Sequence, residues 1–320
     1  MSLFPEKNPV LECFSLIEAL YNIKLDLSVP SPVEFFKALI EEDSPVIIQV
    51  LNTNRALNLS PFFKSDAGGI FHMIKSVHSE LFRGIQQPVC IPGEYEDTHK
   101  LAGQDQHYTG SVQLKKDEEI SVLMDELDNF LESNESYHTL INAAILHGQL
   151  ERIHPFPEGC GRAERILIHL NLKRKKILSR PVLQVSKGLL MRHREYLYRL
   201  EELKKNSDWT PWIKFFLEIL FEASVETARK ITAAFDLEQR GFAELLKGDT
   251  ATIPLLKLFN HLFESPVFSL TSVTRALGFN KQTANTAISK LLREKIIVEI
   301  TGNRRNRIFT NRDFIRLLEI

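Results

Sequence analysis

Apolar residues recur at three- and four-residue spacing along most of this 320-residue chain, which predicts a mainly α protein. After a lead-in broken by Pro5, Pro9, Pro30 and Pro32, with one short helix expected around Leu11 to Tyr21, a helix starts at Pro32 behind the cap Ser31. Phe35, Phe36, Leu39 and Ile40 repeat within it until Asp43-Ser44-Pro45 stops the run. Further helices are expected from Val46 to Leu57, from Ile70 to Phe82 with an Arg83-Gly84 stop, from Asp117 to Leu131, from His138 to Ile153 and from Leu189 to Leu203. A long helix follows Asn206, with Asp208 as cap and Trp209 and Trp212 as anchors. The period changes in two places. Gln87 to Pro92 and Gln106 to Leu114, around the polar stretch Gly93 to Gln104, read as a hairpin. Near the end, Ile296 to Ile300 and Arg307 to Thr310 flank a polar turn.

Charge sharpens the reading of the tail. The chain as a whole has a net charge of −1, yet from Pro266 onward ten Lys or Arg face four acids. The tail is therefore basic and the remainder acidic. Its order is a helix from Ala251, a second from Ser269 to Leu277, the turn Gly278-Phe279-Asn280, a third from Lys281 to Glu294, and the two apolar segments around Thr301 to Asn306. This resembles a winged helix-turn-helix, with Gln282, Thr283, Asn285 and Lys290 on the second helix of the pair and arginines on the wing. Such a module implies DNA, a docking partner or a second copy of the chain. Hydrophobic content of 43% and charged content of 25% are those of a globular protein. Cys13, Cys90 and Cys160 are too few and scattered for a disulfide framework. With no apolar run near ~18 residues and no leader pattern at Met1 to Lys7, a cytoplasmic protein without membrane contact is expected.

The chemistry gathers in Ile153-His154-Pro155-Phe156-Pro157-Glu158-Gly159-Cys160-Gly161-Arg162-Ala163-Glu164-Arg165. His154 is a candidate general base, and Gly159 and Gly161 free the backbone to aim N–H groups at an anion where a helix begins. A helix starting near Glu158 would put Glu158, Arg162 and Arg165 on one face and bury Ile166, Leu167 and Leu170 on another. A carboxylate for Mg²⁺ and two guanidiniums beside a helix N-terminus describe a polyphosphate site. A capped helix with surface arginines would give the same spacing. His138 and His147 are expected to be structural.

The stretch resembles the signature of Fic-domain proteins, H-x-F-x-[D/E]-G-N-G-R-x-x-R, with Cys160 where that family usually has Asn. Gln49 to Leu57, His138 to Ile153, Pro181 to Ser186 and Asn206 to Leu217 also resemble parts of Fic cores. The resemblance implies a Fic-type helical bundle with a small β-hairpin flap, followed by a C-terminal winged-helix domain. Boundaries are set at residues 1–47 for the lead-in and regulatory segment, 48–225 for the core, 226–250 for a helical connector and 251–320 for the winged helix. The flap would register a target segment by strand addition.

The activity it implies is transfer of AMP from ATP to a Tyr, Ser or Thr hydroxyl of a protein. His154 would be the base and Glu158 would hold Mg²⁺. Gly159, Cys160, Gly161, Arg162 and Arg165 would bind the phosphates, and Tyr196 would border the adenine. An inhibitory Glu often precedes such cores, and Glu41 is the nearest match here. Alternatives are a nucleotide-sensing DNA-binding regulator, or a Fic enzyme that removes AMP or uses another phosphate donor. Cys160 as an activated thiolate nucleophile is a separate reading.

Overall fold

The protein is described from a computed structural model covering residues 8–41, 45–60, 69–85, 90–95, 117–133, 137–247 and 251–319. In chain order the elements are α1 (Pro9–Lys24), α2 (Pro32–Glu41), α3 (Pro45–Leu57), α4 (Ile70–Leu81), α5 (Asp117–Ser133), α6 (Thr139–Ile153) and α7 (Cys160–Arg174). They continue with α8 (Val185–Met191), α9 (His193–Asn206), α10 (Trp209–Leu246), α11 (Ile253–His261) and β1 (Val267–Ser269). The chain closes with α12 (Leu270–Leu277), α13 (Lys281–Arg293), β2 (Val298–Glu299), β3 (Ile308–Thr310) and α14 (Arg312–Glu319). The fold is mainly α, as the apolar periodicity requires. Of the expected flap, Cys90 to Tyr95 forms a turn closed by Glu94 N–H to Ile91 O at 3.1 Å. Its remainder lies outside the described residues.

Local chemistry sets most helix ends. Ser31 and Glu34 bond each other's backbone N–H groups, a reciprocal cap for α2. Asp208 accepts the N–H of Thr210 at 3.0 Å as α10 begins. Two expectations are corrected. The stretch expected as one helix from Leu189 to Leu203 is two, α8 and α9, divided at Arg192, whose φ of −109° and ψ of 31° leave the helical region. The signature helix starts at Cys160 rather than near Glu158, because Gly159 takes a left-handed conformation with φ 71°. Glu158 therefore sits in the preceding loop.

The chain divides into two compact units. The larger comprises Glu18–Ser28 and Ile48–Ser224. In it α6 and α4 pack on α7, which buries Ile166, Leu167, Ile168 and Leu170 completely. Trp212 donates its indole N–H to Ala144 O at 2.8 Å. A Cβ at Gly148 would stand 2.7 Å from that indole nitrogen, so the close approach of α6 and α10 needs glycine there.

The other unit comprises Met1–Ile17, Val29–Ile47 and Val225–Ile320. Its antiparallel sheet has the order β1-β3-β2, with Val267 and Val298 both opposite Thr310. Helix α2 packs on β1 and α14, and Phe259, Phe263 and Phe314 meet in series, edge-to-face and then tilted, with centroids 5.4 and 5.0 Å apart. Between α12 and α13, Gly278 turns with φ 67° and Asn280 caps α13 through the N–H of Thr283. The loop from β2 to β3 carries exposed Arg304, Arg305 and Arg307.

Candidate active site

Helix α6 ends at His154, which closes on Leu150 O at 2.7 Å and takes φ 53°, left-handed for a non-glycine residue. Such a conformation is unfavourable and persists only where its surroundings enforce it. The loop that follows is held by Phe156 and His78. Phe156 is fully buried, and its ring stacks on the imidazole of His78 with centroids 3.8 Å apart and planes 9° apart. His78 Nδ1 accepts the N–H of Gly93 at 2.9 Å, so its other nitrogen carries the hydrogen and donates to Glu158 O at 2.8 Å. Burial pushes the pKa of His78 down to about 4, which keeps the ring neutral. One ring thus holds the loop that follows His154 at its middle and at its far end.

Gly159 starts α7, and Ala163 N–H is the first to close an α-helical bond, to Gly159 O at 3.0 Å. The N–H groups of Cys160, Gly161 and Arg162 precede that first bond at an electropositive helix end suited to phosphate. One turn in, Arg162 and Arg165 are buried, 4% and 3% exposed. Arg162 donates to Gln49 Oε1 at 3.2 Å, lies 3.9 Å from Glu158 and stacks on Phe82 at 5.6 Å. Arg165 donates to Asn22 Oδ1, to Asn22 O and to Asp26 Oδ2 at 3.2, 2.9 and 2.8 Å. Asp26 also lies 3.8 Å from Arg162 Nε, so one carboxylate faces both guanidiniums.

Asn22 and Asp26 come from the end of α1 and the turn after it. They are held there by Glu18, whose buried carboxylate accepts from Ser186 N–H and hydroxyl at 3.1 and 2.6 Å and from His169 at 3.1 Å. The carboxylate on Arg165 is thus that of Asp26. Glu41 ends α2, and its side chain lies outside the described residues.

Behind the loop the same helix carries a second polar cluster. Cys160 Sγ–H donates to Glu164 Oε1 at 2.9 Å, and both residues are buried. Tyr196 donates to Glu151 Oε1 at 2.9 Å and takes a bond from His147 Nε2 at 3.1 Å. Burial, reinforced by the Glu151 carboxylate, pushes Glu164 well above the usual carboxylate range. Burial and the neighbouring Glu164 push the Cys160 thiol well up, the opposite of what a helix-activated thiolate needs. His147 is lowered to about 4 by burial. Tyr196 is 3% exposed within the aromatic core around Trp212 and Phe216, with its hydroxyl turned to this cluster.

The structure therefore brings His154, Glu158, Gly159, Cys160, Gly161, Arg162 and Arg165 together in one loop and helix turn, and sets Tyr196 behind them. Asn22, Gln49, His78 and Asp26 escaped the sequence reading. They stand 80 to 143 residues from their partners, and no local pattern marks them. Glu158, with its side chain 36% exposed beside the α7 N-terminus, fits Mg²⁺, which takes one or two carboxylates together with substrate phosphates.

The Fic/DOC family profile matches residues 71–172, the segment that supplies α4, α6 and the loop of α7. This chain carries a Fic/DOC family domain. Two curated proteins named protein adenylyltransferase Fic, from Aedes aegypti and Culex quinquefasciatus, are each 28% identical over 102 residues, or 31% of this chain. The match spans only 19% of each of those proteins. The fold of the chain is similar to the crystal structure of a Fic family protein from Desulfovibrio desulfuricans G20, with a TM-score of 0.54 at 19% identity, covering 97% of this chain and 88% of that one. Among the described residues no helix is long and apolar enough to cross a membrane.

Proposed function

We propose that the Fic domain is a nucleotidyltransferase that moves AMP from ATP to a hydroxyl side chain of a protein. The observation that carries this reading is the loop in which a strained His154 stands before two buried arginines at an open helix N-terminus. His154 accepts the hydroxyl proton as that oxygen bonds the α-phosphorus, and the bond to pyrophosphate breaks. Arg162 neutralises charge on the leaving pyrophosphate, and Arg165 meets the γ-phosphate once Asp26 has moved aside. Backbone N–H groups of Gly159, Cys160 and Gly161 bind phosphate oxygens, so the inward-turned Cys160 side chain need not take part. Bound through Glu158, Mg²⁺ would offset charge on the phosphates. Tyr196 acts behind this site, through Glu151 and His147, or borders the base after a rotation of its ring.

In this reading the contact of Asp26 with Arg165 is an inhibited state; Glu41 is a second candidate for the same role. The decisive experiment incubates the purified chain with Mg²⁺ and ATP labelled at the α-phosphate, with and without cell lysate, beside His154→Ala. Protein-bound label that disappears in the variant supports transfer. Label that persists in it removes His154 as the base.

A second reading rests on the basic loop between β2 and β3 and on the α12–α13 pair, which together resemble a winged helix. There the Fic domain senses nucleotide and the tail binds DNA, docks a partner or pairs two copies. Removal of AMP, or another phosphate donor, would use the same groups. Salt-dependent binding of a DNA duplex, weakened in Arg304→Ala/Arg305→Ala, tests the DNA arm; binding that ignores salt and both arginines excludes it.

A further inference from the structure

Behind the signature loop the side chains of Cys160 and Glu164 meet that of His154, and neither thiol nor carboxylate is a donor type for a phosphate site. An imidazole nitrogen of His154, the sulfur of Cys160 and a carboxylate oxygen of Glu164 all lie within 4.8 Å of one another. They converge from the end of α6 and from two positions one turn apart on α7. Glu164 is fully buried, and its Oε2 has no hydrogen-bond partner.

The hydrogen bonds nearby show what faces that oxygen. Tyr196 has one hydrogen, and it goes to Glu151 Oε1 at 2.9 Å. The 3.1 Å bond between Tyr196 and His147 must then be donated by His147 Nε2–H. His147 Nδ1 is left with its lone pair, buried and without a partner, 4.0 Å from Glu164 Oε2. His147 Nδ1 and Glu164 Oε2 thus face each other, and His147, Glu151 and Glu164 form a second such group that shares Glu164 with the first.

We infer that His154, Cys160 and Glu164 are ligands of one thiophilic divalent cation of the Zn²⁺ class, with the fourth position left to solvent. Imidazole, thiolate and carboxylate are the donors such an ion takes, whereas Mg²⁺ demands oxygen and stays with the exposed Glu158. Tetrahedral bonds of about 2.0–2.3 Å place donors roughly 3.3–3.8 Å apart, so the 2.9 Å Cys160–Glu164 contact opens slightly and the wider pairs close. Binding replaces the S–H bond of Cys160 by a sulfur–metal bond and releases that proton, together with the one held on Glu164, to solvent. The occupied site engages the lone pair with which His154 would accept a proton, so the metal-bound protein is silent in transfer.

This inference does not rest on the transferase reading, and its test needs no nucleotide. The full chain, stripped with a chelator, is titrated with Co²⁺ alone. One equivalent should give a sulfur-to-cobalt charge-transfer band in the near ultraviolet and the strong visible bands of four-coordinate Co²⁺, and Zn²⁺ should displace both. Cys160→Ser should lose the ultraviolet band. Glu164→Gln, which keeps the shape of the side chain, should weaken binding more than about tenfold. Cys13→Ser and Cys90→Ser should change neither. Absence of the band in the unaltered chain, or its persistence in Cys160→Ser, overturns the assignment whether or not the protein transfers AMP.

Discussion

The two sides of α7 bury polar groups with different degrees of completion. Toward α1, Arg165 is matched by Asn22 and Asp26, and Arg162 bonds Gln49 beside the half-exposed Glu158, with only its Nε left without a hydrogen bond, 3.8 Å from Asp26. Toward α6, Cys160, Glu164 and His147 are buried with an oxygen and a ring nitrogen left unmatched. Buried polar groups are normally satisfied, and leaving one unmatched costs about 1–3 kcal/mol. In the proposed transfer a phosphate would replace the carboxylate on the arginine side. The thiol side stays incomplete until something binds there.

The comparison can be broken at several points. The largest effect is expected at the junction of the two sides: His154→Ala should lower AMP transfer by about 10²–10⁴-fold while ATP still binds, measured as initial rates with α-labelled ATP. Phe156→Ala removes the ring that holds the loop and should cost roughly 3–5 kcal/mol, read from denaturant midpoints at unchanged m. Acidification should act through His78. Its pKa is about 4 in the fold against 6.5 as the ordinary value, so the unfolded chain binds more protons between those limits. The stability it supports is complete above pH 6.5 and is lost as pH falls toward 4, on the order of 3 kcal/mol in all. His78→Gln should flatten that part of a pH–stability curve, and an unchanged slope would remove His78 as its source. The smallest effect is expected at the carboxylate facing both arginines. Asp26→Asn should tighten ATP binding by about tenfold, or ~1.4 kcal/mol, in a calorimetric titration. Equal affinity would leave Glu41, tested as Glu41→Gly, as the candidate brake.

What could be read in the sequence was local. The loop from His154 to Arg165, the caps at Ser31 and Asp208 and the order of elements in the basic tail follow from spacing and side-chain type within a few residues. What escaped was set by distance or by backbone. Asp26 meets Arg165 across 139 residues, and nothing in the lead-in marks it as a partner. Glu164, between Ala163 and Arg165, reads as part of a charged helix face, yet packing against α6 buries it completely. The start of α7 moved to Cys160 because Gly159 uses a left-handed conformation that sequence permits but does not announce. The break at Arg192 has no glycine or proline to signal it.

His78 has a consequence for the spacing of two loops. Its two ring nitrogens hold Gly93 N–H on one side and Glu158 O on the other, at 2.9 and 2.8 Å. The gap between the turn at Gly93 and the loop of His154 is thus one imidazole wide, a rigid gauge block set by a single side chain.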